Sequence, residues 1–396
     1  DEAFYGESEL TAGPDGKKIA PTGAPVEWVE EPSYFFELSK WQEPLLKFYA
    51  ENPDFVYPAS RFNEVKRFVE GGLEDLSVSR TSFKWGIPVP GDEKHVIYVW
   101  LDALFNYVSA LEWPEGENYK QFWEKGDVYH VVGKDILRFH AVYWPAFLMA
   151  AGMKPPSRVI AHGWWTNEGQ KISKSLGNVI DPLKLVEEFG LDATRYFLMR
   201  EVPFGNDGNY SRVAMINRIN AELANNIGNL CQRTLSMIAK NCGGKVPEVR
   251  DEALTEEDRA FLNALWVTDR DTPKAVTSMY LDCKFYEILQ EIVQMAGQAN
   301  EYIDKQAPWG LKDNPARRDA ILYCLAEGIR CLAIYLQPFI PESAAKILDY
   351  LAIPGDQRGF AHTHHYGKGL GKYSLEPGTP LPVPQGVFPR YVEKAA

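Results

Sequence analysis

The sequence predicts an α/β region followed by an all-α region, and two observations support this fold class. Between residues 94 and 165, β-branched and aromatic segments alternate with helical ones: KHVIYVW (94–100), VYHVVG (128–133) and SRVIAHGWW (157–165). Strands and helices in this order favour a parallel sheet with crossover helices. From about residue 206 to 352, long helical stretches follow one another and predict a bundle of about four or five helices.

The helices between the predicted strands follow from the spacing of their apolar residues. LDALFNYVSALEW succeeds the first strand, and KDILRFHAVYWPAFLMAAG succeeds the second and ends at Gly152. In a parallel sheet, ligands bind beyond the carboxyl ends of the strands. We therefore expect a binding site near Trp100, Gly133 and the HGWW segment.

Length and composition narrow the class of protein. The chain has 396 residues, enough for two or three domains, and a net charge of −12. This charge argues against a general nucleic-acid coat protein, which would be basic, but it allows a local positive surface for RNA. We expect no signal peptide, and the sequence has no apolar run of the ~18 residues that a membrane span needs. The five cysteines show no CxxC spacing, so we expect reduced core thiols in a cytoplasmic protein.

Aromatic residues cluster after two of the predicted strands. Ile136, His140 and Trp144 lie at i, i+4 and i+8, on one face of the predicted helix. After the preceding strand, Trp100 is followed by Leu104 and Tyr107 at helical spacing. Taken alone, the first stripe is more typical of ordinary core. Because both strand ends face the same side of a parallel sheet, the two sets together favour one small apolar pocket.

The segment KISKS, followed by Gly177 and Asn178, allows two interpretations. Stretches rich in Lys and Ser are usually solvated connectors. A mobile loop of lysines can instead neutralise the charge of a polyphosphate in the transition state of nucleotidyl transfer. Its position just after the third predicted strand favours the second interpretation.

A polar stripe runs along the predicted bundle. In LANNIGNLCQRTL, Asn225, Asn229 and Arg233 lie on one face and the apolar residues on another. A solvated face is the common interpretation of such a stripe. An Asn–Asn–Arg stripe also offers hydrogen bonds and a guanidinium plane, which is how unpaired RNA bases are read.

Three linked segments carry a family resemblance: YVWLDALFNYVSAL, HVVGKDILRFHAVYWPAFLMAAG and HGWWTNEGQKISKSLGNVIDP. In this order they resemble the methionyl-tRNA synthetases of the bacterial type, which are class I aminoacyl-tRNA synthetases. KISKS resembles the family's KMSKS loop, with Ile172 in place of Met. The resemblance covers essentially the whole chain. It implies a fold made of the second half of a Rossmann-like catalytic domain and an α-helical anticodon-binding bundle.

The resemblance implies a division into five segments. Residues 1–80 correspond to the end of a connective insertion with linking helices, and 81–160 to the second half of the catalytic domain. Residues 161–205 correspond to the KMSKS-loop and stem-contact region, 206–352 to the anticodon-binding domain and 353–396 to a C-terminal strap.

The resemblance also implies site residues. The methionine pocket is lined by Trp100, Leu104, Tyr107, Ile136, His140 and Trp144, with Leu104 where relatives carry Pro. The catalytic residues of the loop are Lys171, Ser173 and Lys174. ATP contacts come from Lys134, Asp135, Lys171, Lys174 and Ser175. The anticodon is read by Asn225, Asn229 and Arg233, and one of its bases stacks on Trp309.

The implied activity is that of a methionine–tRNA ligase. It uses ATP with Mg²⁺ to activate methionine as methionyl-adenylate and transfers it to tRNA(Met). No membrane partner is expected, and a monomer is the default.

The sequence departs from the family's pattern at its beginning. The chain starts DEAFYGESEL and carries no HIGH-like motif, which in the family belongs to the first half of the nucleotide-binding fold. We therefore expect about half an active site, and little activation activity from these 396 residues alone. Any zinc site would lie in the missing part, so no metal ligand is assigned. His362, His364 and His365 are interpreted as a polar loop rather than a metal site.

Two alternatives remain at this stage. One is another class I synthetase for an aliphatic amino acid, against which the aromatic set with His140 argues. The other is a non-catalytic tRNA-binding fragment, against which the KISKS segment and the pocket argue.

Overall fold

The computed structural model describes residues 5, 7–13, 16–21, 23–27, 31–98, 100–172, 177–264, 278–363 and 374–393. The chain divides into two compact units, residues 1–160 and 161–396.

The first unit is mixed α/β. Its helical segments include the long helices Gln42–Glu51, Ala59–Glu70 and Leu101–Ser109. A helical stretch from Lys134 to Ala150 consists of a 3-10 turn (Lys134–Ile136), a π segment (Phe139–Tyr143) and an α-helix (Trp144–Ala150). The remaining helical segments are Glu7–Glu9, Leu38–Trp41 and the π segment Tyr119–Glu124. The strands are Thr11–Ala12, Lys18–Ile19, Phe35–Phe36, Val56–Tyr57, Leu76–Ser77, Ser79–Arg80, Ile87–Val89, Asp92–Ile97, Tyr129–Gly133 and Arg158–His162, the last of which continues past the division.

Two of the three predicted strands lie in one sheet. The order of this three-stranded sheet is Val56–Tyr57, Arg158–His162 and Tyr129–Gly133. Val159 pairs with Val56 in parallel. Because the chain runs from Gly133 directly into the helical stretch that begins at Lys134, the carboxyl end of this strand delivers its helix to the expected binding region.

The first predicted strand belongs to a different sheet, so its expected place in the parallel sheet is wrong. Asp92–Ile97 pairs antiparallel with both Ser79–Arg80 and Ile87–Val89. Val89 and Asp92 are opposite each other, and Gly91 between them has a φ of 83°. A two-residue connection joins only antiparallel strands, so the tight turn at Pro90 and Gly91 decides the pairing.

The second unit is mainly helical, as predicted. A continuous helical stretch runs from Arg212 to Asn241 and contains a π segment, Ile219–Gly228, between Arg212–Arg218 and Asn229–Asn241. It is followed by Glu256–Ala264, Phe285–Gln306, Pro315–Leu336 and Pro341–Tyr350, which gives a bundle of five helices among the described residues. The bundle is preceded by the helices Pro182–Phe189 and Leu191–Arg200 and by a small sheet of Trp165–Asn167, Gln170–Lys171 and Gly208–Tyr210. The second unit also contains the short 3-10 turns Asp251–Ala253, Pro308–Gly310, Gly355–Gln357 and Phe360–Thr363.

Helix Pro315–Leu336 lies at the centre of this bundle. Every residue from Ala320 to Leu336 is buried. A helix that is apolar on all sides is expected at such a position. Its buried charged residues, Glu327 and Arg330, pair with each other at 2.8 Å.

Three further expectations can be compared with this structure. Four of the five cysteines are buried, Cys242 is half-buried, and all five are free thiols, as predicted. No helix among the described residues is long and apolar enough to cross a membrane. Among the described residues after Tyr350, the helical segments are short 3-10 turns, and Val246 N–H donates to the Thr379 carbonyl at 2.8 Å.

Candidate functional site

The turn at Trp100 shapes the pocket region of the first unit. Trp100 has a φ of 68°, in the left-handed region, immediately before helix Leu101–Ser109. Its indole stacks on Phe139, with ring centroids 3.9 Å apart and planes inclined by 14°. The backbone reversal therefore brings a residue that follows one strand against the helix that follows another.

His140 is held in one tautomer by its two neighbours. Its Nδ1 lies 3.0 Å from the carbonyl oxygen of Ile136, which can only accept, so Nδ1 carries the proton. In the neutral ring, Nε2 then accepts from the hydroxyl of Tyr107 at 2.9 Å. Burial lowers the pKa of His140, and the Ile136 hydrogen bond opposes this only in part, so the ring stays neutral near pH 7.

His130 is a pocket residue that the sequence reasoning missed. Its Nε2 accepts the indole N–H of Trp144 at 3.2 Å, and its ring lies 4.4 Å from that of Tyr107. Burial, and then the proximity of His140, lower its pKa to about 4. No signal in the sequence marked His130, because the alternation of buried His130 and Val132 with exposed Tyr129 and Val131 belongs to the fold and not to the residue types.

The structure brings the six predicted pocket residues together around these rings. Four of them, Trp100, Leu104, Tyr107 and Trp144, belong to one apolar cluster that also contains Phe139. Ile136 and His140 join it through the hydrogen bonds described above. Leu104, His140 and Trp144 are buried, whereas Trp100, Tyr107 and Ile136 are half-buried.

The candidate ATP residues of the first unit lie at a strand end. Lys134 and Asp135 open the 3-10 turn directly after strand Tyr129–Gly133. Lys134 is half-buried and Asp135 is exposed. Both therefore occupy the position at which ligands meet parallel sheets.

Lys171 begins the KISKS segment, in the second unit, of which the structure describes Lys171 and Ile172. It closes a small hairpin in which Thr166 pairs with Lys171. Asn178 donates to the Lys171 carbonyl at 3.0 Å and receives a hydrogen bond on its own carbonyl from Asn167 at 2.8 Å. These bonds fix the base of the segment, while Ser173, Lys174 and Ser175 lie outside the described residues.

The four candidate anticodon residues also lie in the second unit. The guanidinium of Arg233 lies 5.3 Å from the ring centroid of Trp309 and donates to Asp304 at 2.7 Å. Trp309 is 48% exposed. Asn229 and Asn225 are exposed one and two turns before Arg233, and neither side chain has a hydrogen-bond partner among the described residues.

A metal site is not evident in the part of the chain that the structure describes. No group of three or more His, Cys, Asp or Glu side chains there could hold a metal ion. Of the HTHH run, only His362 and Thr363 are described, and His364 and His365 lie outside the described residues.

Two family models match the chain in succession. Residues 17–235 match the model "tRNA synthetases class I (M)". Residues 246–395 match the "Anticodon binding domain of methionyl tRNA ligase". The chain belongs to the class I methionyl-tRNA synthetase family.

Individual relatives of this family are similar along nearly the whole chain. The methionine–tRNA ligase of Mesorhizobium japonicum is 53% identical over 394 residues, which are 99% of this chain and 74% of the relative. That of Rickettsia bellii is 54% identical over 395 residues, 99% of this chain and 75% of the relative. The chain thus spans about three quarters of the length of these relatives.

Solved structures of the family are similar as well. The free methionyl-tRNA synthetase of Mycobacterium tuberculosis has a TM-score of 0.88 at 45% identity, covering 100% of this chain and 76% of that one. The same protein in complex with methionyl-adenylate has a TM-score of 0.89 at 46% identity, covering 98% and 75%. The fold of this chain is therefore that of a class I synthetase catalytic region followed by an anticodon-binding region.

Proposed function

We propose that this chain acts as a methionine–tRNA ligase, activating methionine with ATP and transferring it to tRNA(Met). Membership of the family supports this reaction. So does the complex of a relative with methionyl-adenylate, the intermediate that joins methionine to the AMP part of ATP. The observation that carries the proposal is the ring cluster of Trp100, Tyr107, His140 and Trp144.

The ring cluster suits the side chain of methionine. The indole N–H of Trp144 donates a hydrogen bond to His130, and the hydroxyl of Tyr107 donates one to His140. The rings of Tyr107 and Trp144 therefore face a ligand with edges and faces rather than with unsatisfied donors. A flexible, polarisable thioether packs well against such aromatic edges, whereas a site for a branched aliphatic chain needs no such set of rings.

The first step joins the methionine carboxylate to the α-phosphate of ATP. An oxygen of the carboxylate attacks phosphorus, the bond to the bridging oxygen breaks, and pyrophosphate leaves. In our proposal Lys171 and Lys174 neutralise the charge that grows on pyrophosphate, supported by Ser173 and Ser175. Such stabilisation acts in the transition state and therefore raises the rate.

Lys134 and Asp135 are proposed to hold the nucleotide from the strand end, Asp135 at the ribose and Lys134 near the phosphates. Magnesium enters with ATP as part of the substrate, and no residue is assigned to it. Positioning and charge stabilisation carry the reaction, as in phosphoryl transfer in general.

In the second step a terminal ribose hydroxyl of the tRNA attacks the acyl carbonyl of the adenylate and AMP leaves. Choice of the tRNA is proposed to rest on Asn225, Asn229, Arg233 and Trp309. The exposed amides of the two asparagines offer donors and acceptors for base edges, and the exposed indole of Trp309 offers a stacking surface.

The test measures methionine-dependent exchange of pyrophosphate into ATP, followed by charging of tRNA(Met), with the natural full-length protein. Methionine should be preferred over leucine, isoleucine and valine, and Trp100→Ala should raise the KM for methionine more than that for ATP. An equal or better rate with a branched aliphatic amino acid would assign the chain to another class I specificity.

Three narrower expectations remain proposals with their own measurements. The 396 residues alone should show little pyrophosphate exchange, and robust exchange by them would contradict this. The protein should be a monomer, which light scattering after size-exclusion chromatography measures. Because the proposed work is the charging of tRNA for protein synthesis, we place it in the cytoplasm, which fractionation of cells would test.

A further inference from the structure

The segment that carries Trp309 is a short, sharply turned connection in the second unit. Helix Phe285–Gln306 ends just before Ala307, which adopts a φ of 43° in the left-handed region. The 3-10 turn Pro308–Gly310 follows, and Asn314 caps helix Pro315–Leu336 by accepting from the N–H of Arg317. Trp309 is thus presented from a loop whose direction depends on how its two ends are joined.

Arg317 joins the two ends of this loop. From the first turn of the second helix, its Nη2 donates to Oε1 of Gln306, the last residue of the first helix, at 2.7 Å. The same nitrogen donates to Oδ1 of Asp258 at 2.9 Å, and Nη1 donates to Oδ2 of Asp258. The planar guanidinium of Arg317 is therefore bonded both to Gln306, just before the loop, and to the carboxylate of Asp258.

Asp258 makes this arrangement rigid. Its side chain is fully buried, and it also accepts from the hydroxyl of Tyr302 at 2.5 Å and from the N–H of Thr255 at 2.9 Å. Burial alone would raise the pKa of Asp258, but the hydrogen bonds from Arg317 and Tyr302 outweigh it and leave the pKa below its usual value. The carboxylate is therefore charged, and a buried charge with four hydrogen bonds has little freedom to move.

Helix Phe285–Gln306 connects this network to the candidate RNA-binding face. Tyr302 and Gln306 touch the network, while Asp304, between them on the same helix, pairs with Arg233. Arg233 in turn lies over Trp309. A shift of Gln306 would thus move the loop and the Arg233 contact together.

We propose that Arg317, Asp258 and Gln306 are positioning residues for anticodon reading, which set Trp309 in place opposite Arg233. The proposal rests on the proposed function of tRNA recognition and adds residues that do not themselves touch the RNA. If the hydrogen bonds between Arg317, Asp258 and Gln306 are broken, binding of the anticodon should weaken while the activation of methionine is unaffected.

Helix Pro315–Leu336 supplies a matched control. Arg330 pairs with Glu327 at 2.8 Å, both residues are buried, and Arg330 also donates to the His362 carbonyl. Arg317→Met and Arg330→Met each leave one buried carboxylate without its arginine, so both should lose stability. Only Arg317 contacts the residue that precedes the Trp309 loop.

The experiment measures binding of a stem-loop RNA with the anticodon CAU, and of the same RNA with one anticodon base changed, to the natural full-length protein. Arg317→Met should weaken binding of the CAU stem-loop roughly tenfold, within the range that a lost base stack supplies. It should also reduce the preference over the altered stem-loop, while pyrophosphate exchange remains at the wild-type rate. Arg330→Met should retain wild-type RNA affinity at a temperature at which it is folded.

Gln306→Leu is the second variant, because it removes the bond from Arg317 and leaves the Asp258–Arg317 pair intact. It also removes an exposed hydrogen bond from Gln306 to Glu257 at 2.8 Å. It should reproduce the loss of RNA affinity with a small change in stability. Wild-type affinity in Gln306→Leu and in folded Arg317→Met would overturn the proposal, as would an equal loss of affinity in Arg330→Met. A wild-type protein without preference for CAU would instead overturn the proposed function itself.

Discussion

Replacing His130 by leucine should destabilise the first unit by about 1–3 kcal/mol at pH 7, because it leaves a buried donor without an acceptor. The donor is the indole N–H of Trp144, a side chain with 0% exposure, which donates to His130 at 3.2 Å. Glutamine can place an amide oxygen near the position of Nε2. His130→Gln should therefore retain more of the stability than His130→Leu.

The contribution of His130 to the free energy of unfolding should also depend on pH, and the direction follows from its pKa. The pKa of His130 in the fold is about 4, against an ordinary value of 6.5, because burial and then His140 oppose its charge. Between these values the unfolded chain binds more protons, so the contribution of His130 is complete above pH 6.5 and is lost as pH falls toward 4. Going from pH 7 to pH 4.5 should remove about 2 kcal/mol from the wild type that the leucine variant does not lose.

The assay is urea unfolding of wild type and both variants at several pH values, followed by tryptophan fluorescence. His95→Leu is the control, since His95 is a buried histidine of the same unit that pairs with Ser79 outside the ring cluster. The free-energy difference between wild type and His130→Leu should shrink as pH falls. A difference that is constant from pH 7 to 4.5, or that grows, would refute the assignment of His130 as a neutral acceptor.

Three further predictions concern the other sites. Trp309→Ala should weaken binding of tRNA(Met) by about 1–3 kcal/mol with unchanged pyrophosphate exchange, and equal affinity in a filter-binding assay would contradict the stacking role. Lys171→Ala should lower kcat for pyrophosphate exchange by roughly 100-fold with a smaller effect on the KM for ATP, and a change in KM alone would argue for simple binding. Gly163→Ala should destabilise the second unit by at least about 2 kcal/mol, because its Cβ would lie 2.0 Å from the Asn206 carbonyl oxygen, whereas Gly297→Ala, in open space within a helix, should be neutral or stabilising in thermal unfolding.

Much of the fold follows from local patterns. The strand Tyr129–Gly133 and the central strand Arg158–His162 were predictable because each contains two adjacent β-branched residues. The five helices of the bundle follow from long stretches rich in apolar residues. The sheet to which Asp92–Ile97 belongs was predicted wrongly, because the position of a strand depends on its partner, and here a tight turn at Gly91 selects the neighbouring strand.

The candidate pocket was predictable only in part, for a similar reason. The spacing of Ile136, His140 and Trp144 places them on one helix face, and that information is local. The stack of Trp100 on Phe139 requires the left-handed backbone at Trp100, which is rare for a residue with a side chain. The bond between His130 and Trp144 joins a strand to a helix fourteen residues later, and periodicity within either element does not show it.

The hydrogen bonds of the two candidate binding regions differ in a way that matches their proposed ligands. In the first unit, the polar atoms of Tyr107, His140 and Trp144 are used within the cluster, so the rings offer apolar contact to a thioether. In the second unit, the amides of Asn225 and Asn229 have no partner among the described residues. Exposed amides lose little when they exchange water for base edges, whereas a donor left open in an apolar pocket would have to be desolvated without compensation. Selection of a methionine side chain requires rings whose polar atoms are already hydrogen-bonded, as those of Tyr107, His140 and Trp144 are. Selection of unpaired bases requires exposed amides without protein partners, as those of Asn225 and Asn229 are.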